Sequence, residues 1–213
     1  MPEELRLAFH RDLQLIEDRV LRLFALVAEG LAAATDALLS GDRDAARALA
    51  AKDEEIDELY RDVETLVQRE FALQTPMARD LRFMLTILRV VPELERSHDL
   101  AEHIATAATR GITSSLTPRI RGLVEEMGRT GVELWQRAAK AFHDRDVAAA
   151  DELDELDDEL DELHVSLTAE LVSGAVSVPI AIEMTLVARY FERLGDHAVN
   201  IAKRVRYLAG GDI

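Results

Sequence analysis

The chain contains no cysteine. That excludes a disulfide framework and any thiolate-held metal, so a bound metal would need oxygen or imidazole ligands. Aromatic residues are scarce, at 5%, and β-branched runs are few, so no strand pattern competes with helix. Positive charge is in deficit: 25 Lys and Arg stand against 41 Asp and Glu, for a formal net charge of −16. Direct DNA or RNA binding, which needs a basic footprint, is therefore not expected. A cation, or a partner with a basic face, suits this charge better. No run of about 18 apolar residues occurs, so no membrane-spanning segment is expected. Met1 to Arg6 show no charged-then-apolar leader pattern, and the default expectation is a cytoplasmic protein. A glycine-rich phosphate loop, a Gly-x-Ser-x-Gly elbow and a Cys/His dyad are all missing.

What is present is helix-former composition, dominated by Ala, Leu, Glu and Arg. Leu5, Phe9, Leu13, Ile16, Val20, Leu23, Val27, Leu31, Ala34 and Leu38 recur in steps of three or four, the signature of an amphipathic helix. Ser40-Gly41-Asp42 supplies a C′ glycine and then an N-cap aspartate. A second helix is expected over about 43 to 73. A third is expected to be capped by Thr75, with Pro76 at its first position, and to run to about 109. Pro92 falls inside it and predicts a kink just before Glu95. After a loop over 111 to 117, Thr117-Pro118 opens a fourth helix ending near His143. A fifth covers about 145 to 173, and Ser177 to Pro179 restart the chain into a sixth. The expected fold is all-α: two tandem three-helix bundles, one over 1–110 and one over 115–213, built from six long antiparallel helices.

The halves repeat. Glu95 and Asp99 recur as Glu192 and Asp196, 97 residues on, and Asp53 and Asp57 recur as Asp157 and Asp161, 104 residues on. Such self-similarity suggests one supersecondary unit used twice, with one site per unit. Each pair is four apart on a helix, so its carboxylates share a face. If the helices of each half lie side by side, four carboxylates gather in each. Oxygen-only clusters suit Mg²⁺, Mn²⁺, Fe or Ca²⁺, singly or as a multinuclear cluster.

A solvated acidic face is the plainer reading, especially over 144 to 162, where nearly every polar residue is acidic. Yet like charges four apart cost a few tenths of a kcal/mol per pair. Their recurrence at corresponding points suggests that a cation offsets that cost. Glu95-x-x-His98 and the partial Asp161-x-x-His164 keep a ferritin-like dimetal enzyme open as an alternative. A metal-free helical scaffold is another. His103 and Asn200, one turn beyond Asp99 and Asp196, are candidate auxiliary ligands. Trp135 and the phenylalanines, at helical spacing, are most simply core.

At these residues the chain resembles the PhoU family. Glu192-Arg193-Leu194-Gly195-Asp196, continued by His197-Ala198 and Asn200-Ile201-Ala202, is similar to that family's E-R-I-G-D signature. Asp157 to Asp161 resembles its partner motif, and Pro76 with Asp80-Leu81-Arg82 resembles the segment before its third helix. The first-half copy departs, with Ser97 and His98 in place of an apolar residue and a glycine. The resemblance covers both halves. It implies a non-enzymatic regulator that binds divalent or trivalent metal ions (Fe, Mn, Mg or Zn) through these motifs. It further implies association with the cytoplasmic membrane face, peripheral and through partners; a homodimer is the expected assembly. Its implied partners are the phosphate ABC transporter and a sensor histidine kinase, with repression of the phosphate-starvation response as the outcome.

Overall fold

A computed structural model describes residues 2–210, apart from the side chains of residues 2–5, 50 and 53. The described chain forms seven α-helices and one short 3-10 turn. They are α1 (Pro2–Ser40), α2 (Arg43–Ala50), α3 (Asp53–Leu73), α4 (Ala78–Thr109), α5 (Pro118–Asp144), α6 (Ala149–Val172) and α7 (Val178–Leu208), with the turn at Thr113–Ser115. The all-α architecture of two three-helix bundles is as the periodicity predicts. The first bundle is α1, α2/α3 and α4; the second is α5, α6 and α7.

Three helix boundaries differ from the sequence reading. The second helix is broken at Ala51 and Lys52, giving α2 and α3. Apolar spacing could not reveal the break, because the buried Leu49 and Ile56 on either side stay seven residues apart, in step with an unbroken helix. Second, α4 does not begin at Thr75-Pro76. The chain stays extended through Met77 (φ −126, ψ 151), and the helix starts at Ala78 without a side-chain cap. The proline restriction acts on Thr75 alone, and Pro76 lies in the extended lead-in, ahead of the helix and not in its first turn. Third, α6 starts at Ala149 and not near 145, because Arg145 closes α5 in the left-handed conformation (φ 57, ψ 35).

Other punctuation is where the sequence places it. Gly41 (φ 74) ends α1, and the Asp42 side chain accepts from the Asp44 and Ala45 amides at the head of α2. Thr117 accepts from the Ile120 amide, ahead of Pro118 in the first turn of α5. The helix α4 passes Pro92 without a break.

Like helices meet like. The first helices of the halves, α1 and α5, pack on each other, as do the third helices, α4 and α7. A single apolar core therefore runs through both bundles. Ile16, Phe24 and Leu31 of α1, Ile87 and Leu94 of α4, Trp135 and Phe142 of α5 and Phe191 of α7 are all fully enclosed in it. Phe24 joins the halves, with ring centroids 6.1 Å from Trp135 and 5.5 Å from Phe142. By composition alone, the segment Arg6–Ser40 of α1 is long and apolar enough to cross a bilayer, but 61% of its most apolar window is buried against neighbouring helices. That is the pattern of a core helix.

Candidate carboxylate site

The second-half carboxylates meet where α6 lies along α7. Leu153, Leu156, Leu160 and Leu167 draw one face of α6 into the core, against a face of α7 carrying Phe191, Leu194 and Ala198. Asp157 sits between two of those leucines and is carried half into the interface. Its Oδ1 lies 2.0 Å from where a β-carbon on Gly195 would stand. Only glycine admits the carboxylate there. That oxygen is shielded from solvent and has no hydrogen-bond partner, and the same holds for Oε2 of Glu192. The other Glu192 oxygen accepts from Arg189.

The electrostatics follow from this placement. Burial pushes the Asp157 carboxyl up to about 7, helped by the charges of Asp161 and Asp196 and then Asp154 and Asp158. Glu192 is also raised, first by burial; Asp196 and Asp161 add to the shift, while Arg189 and His164 oppose it. Asp157 and Glu192 therefore lie in the field of the same two carboxylates, Asp161 and Asp196. Asp161 and Asp196 hold the exposed rim, and Asp157 and Glu192 the sheltered floor. Among the described residues, no group of three or more His, Asp and Glu side chains is placed to grip one ion as they stand.

The first half is not a copy. The Asp57 side chain is held by Arg61 on its own helix at 3.0 Å, and that of Asp53 lies outside the described residues. Glu95 and Asp99 are half-buried on α4. Glu95 acts across to α3, where its charge adds to burial and to the Glu64 hydrogen bond in raising the Tyr60 hydroxyl's pKa. His98, which takes the place of Gly195 in the repeat, is enclosed in the core. Its ring abuts Gly30 of α1, where a β-carbon would stand 3.3 Å from Nδ1. In one half, then, a glycine on α7 makes room for a carboxylate of α6; in the other, a glycine on α1 makes room for an imidazole of α4. Of the auxiliary candidates, the His103 Nδ1 lies 2.5 Å from the Asp99 carbonyl, with its ring 5.3 Å from that of Tyr190. Asn200 is exposed.

One polar contact escaped the sequence reading. Ser97, which stands where the repeat motif has an apolar residue, lies 2.9 Å from the buried His197 Nδ1 across the α4–α7 crossing, and its hydroxyl donates to the Glu93 carbonyl at 2.6 Å. His197 Nε2 stands 3.7 Å from the Glu93 carboxylate. Burial lowers the imidazole's pKa against the pull of Glu93, and Arg193 and Arg96 reinforce that lowering.

Known proteins share this architecture from end to end. The family model for the PhoU domain matches twice, over residues 20–108 and 124–205. The phosphate-specific transport system accessory protein PhoU homolog 2 of Mycobacterium tuberculosis is 33% identical over 210 residues, spanning 97% of this chain and 99% of that protein. The corresponding homolog 1 of Thermotoga maritima is 31% identical over 207 residues, 95% of this chain and 89% of that protein. The crystal structure of PhoU from Pseudomonas aeruginosa superposes with a TM-score of 0.87 at 28% identity, covering 94% of this chain and 98% of that one. That of the regulatory protein PhoU from Streptococcus pneumoniae gives 0.88 at 26% identity, covering 96% and 98%.

Proposed function

The chain belongs to the PhoU family, and from that premise we propose that it is an accessory protein of phosphate-specific transport, acting by protein contact and not by turnover. The observation that carries this reading is the match of both repeats along nearly the whole chain to proteins so named. Its expected partners are the phosphate ABC transporter and a sensor histidine kinase at the cytoplasmic membrane face, with repression of the phosphate-starvation response as the result. A homodimer is the expected assembly.

The second-half carboxylates are the proposed cation site. Asp157 and Glu192 each keep a solvent-shielded oxygen without a hydrogen bond, and the charges of Asp161 and Asp196 bear on both. A divalent or trivalent ion would relieve both, neutralising the cluster and tying α6 to α7. It would compete with Arg189 for Glu192. Glu95, Asp99, Asp57 and Asp53 form the weaker candidate, since Arg61 already holds Asp57.

The absence of a preassembled three-ligand group among the described residues favours a second reading, in which the same carboxylates are a metal-free face that a basic partner reads. Metal content separates the two. Protein purified without chelator or nickel resin, loaded with Fe, Mn, Mg or Zn and desalted, is compared with the Glu192→Ala/Asp196→Ala variant by plasma mass spectrometry. Stoichiometric metal that falls in the variant supports the cation site. No retained metal in either supports the partner-facing surface. The regulatory reading is tested separately: loss of the gene should leave a phosphate-starvation reporter on in high phosphate, and an unchanged reporter would overturn it.

A further inference from the structure

A second site lies apart from the acidic one and does not depend on the metal reading. The start of α4, the α5–α6 turn, the end of α7 and one face of α1 line a half-open cavity of about 630 Å³. In a chain of net charge −16, three arginines line it: Arg79, Arg82 and Arg145. Two carboxylates also face it, Glu17 and Asp80, but Glu17 is engaged, accepting from Arg145 at 2.7 Å.

Arg145 is held as a fixed wall. It donates to the Phe142 carbonyl at 2.6 Å, and its guanidinium lies 5.4 Å from the ring centre of Phe83 and 4.8 Å from that of Phe142. Burial lowers its pKa, and the neighbouring Arg79 lowers it further, against the pull of Glu17. Neither Arg79 nor Arg82 makes an ion pair with another described residue. The Arg82 Nε is shielded from solvent and has no acceptor.

The backbone around the cavity is strained as well. Ala78 (φ 47) and Arg145 (φ 57) are the non-glycine residues of positive φ among those described, and one flanks each side of the cavity. An L-residue in that region gives up roughly 1–2 kcal/mol, and such strain gathers at ligand clamps. The α4 amides beside it have no side-chain cap, so the positive end of a 32-residue helix faces the same space.

We propose that this cavity binds a phosphate group carried on a small organic molecule. Arg79 and Arg82 take the phosphate oxygens, and the Arg145–Phe83 wall receives the organic part. Arginine's planar fork matches phosphate oxygens two at a time. Cavity size favours an ester over the free ion, because the volume falls in the range of small-molecule sites and a lone phosphate would leave most of it empty.

The test is calorimetric titration of the full chain in chloride buffer, free of phosphate, sulfate and divalent metal, with AMP, inorganic phosphate and adenosine as probes. One-to-one AMP binding is expected, tighter than inorganic phosphate, with adenosine silent. Arg82→Gln and the exposed Arg79→Gln should each weaken AMP at least tenfold, whereas Arg119→Gln, on the exposed start of α5 and outside the cavity, should change nothing. A melting temperature matching the parent certifies each variant as folded. Inorganic phosphate binding as tightly as AMP would overturn the ester assignment in favour of the free ion. No AMP binding, or binding that survives Arg79→Gln and Arg82→Gln, would overturn the site.

Discussion

Asp157 on α6 and Gly195 on α7 occupy what would otherwise be the same space: the aspartate's Oδ1 stands 2.0 Å from the β-carbon that any other residue at 195 would carry. The glycine of the Glu-Arg-Leu-Gly-Asp motif is thus explained by the carboxylate it faces. Gly195→Ala decides whether that contact matters. In an open helix, replacing glycine by alanine stabilises by about 0.8–1 kcal/mol. Here the new methyl must turn the Asp157 carboxylate outward and crowd Leu160 Cδ2 at 3.1 Å, and a loss of that ordinary gain, about 1 kcal/mol, is expected. Urea denaturation of Gly195→Ala, Asp157→Ala and the double variant forms the test. The loss should vanish when Asp157 is also truncated; persistence of the full loss would show that the glycine answers to something other than the carboxylate.

The same burial sets a pH dependence. Asp157 is raised from 3.8 to about 7, and Glu192 is raised too. A carboxyl whose folded pKa exceeds its unfolded value binds its proton more tightly in the fold, so metal-free stability is greatest below about pH 4 for this group and declines as pH rises toward 7. A three-unit shift in full burial would correspond to about 4 kcal/mol. Asp157 is half-exposed, and solvent screening brings the expected decline to roughly 1–2 kcal/mol. Thermal melting of chelator-treated protein at pH 5 and pH 8 reads it. Asp157→Asn should flatten the difference and raise the pH 8 melting point; an unchanged pH profile in that variant would place the titration elsewhere.

Much of this was legible in the sequence, and the failures have physical causes. Amphipathic spacing and the turn residues Gly41, Asp42, Thr117 and Pro118 gave the helices, because a helix boundary is a local event. The repeat pairs Asp157 with Asp161 and Glu192 with Asp196, because residues four apart share a face wherever the helix goes; the packing of α6 on α7 is what brings the two pairs near each other. What the pattern could not give was the depth of each side chain. Whether Asp57 turns outward to Arg61 or inward, and whether His98 faces a metal or Gly30, depends on interhelical distances that no spacing encodes. The Arg79–Arg82–Arg145 cavity was invisible for the same reason. Its arginines come from two segments more than sixty residues apart, and no spacing in the sequence links them.

Ser97 and His197 form a polar tie across the α4–α7 crossing, at 2.9 Å in a buried setting. Removing one partner of such a pair leaves the other desolvated and unsatisfied, at a loss of about 1–3 kcal/mol. Ser97→Ala should fall in that range in chemical denaturation. Ser97→Ala combined with His197→Leu should recover most of it, since two apolar groups of suitable size need no hydrogen bond. A double variant no better than the sum of the singles would mean that His197 is held by Glu93 alone.

Two glycines of α5 provide a control within one helix. A β-carbon at Gly122 would meet nothing within 4 Å, whereas one at Gly128 would meet the Thr35 side chain of α1 at 2.5 Å from Cγ2 and 2.6 Å from Oγ1. Gly122→Ala should therefore stabilise by about 0.8–1 kcal/mol, the ordinary gain from helix propensity. Gly128→Ala gains the same propensity but wedges α1 from α5 at the junction of the two bundles, and a net loss of about 1–3 kcal/mol is expected. Thr35 is itself buried, donating to the Leu31 carbonyl at 2.8 Å, so it cannot swing clear without breaking that bond. Thr35→Ala placed on top of Gly128→Ala removes the obstacle and should restore much of the stability. Equal gains at both glycines would show that α1 and α5 are free to separate, and that the close approach of the first helices is not what joins the halves.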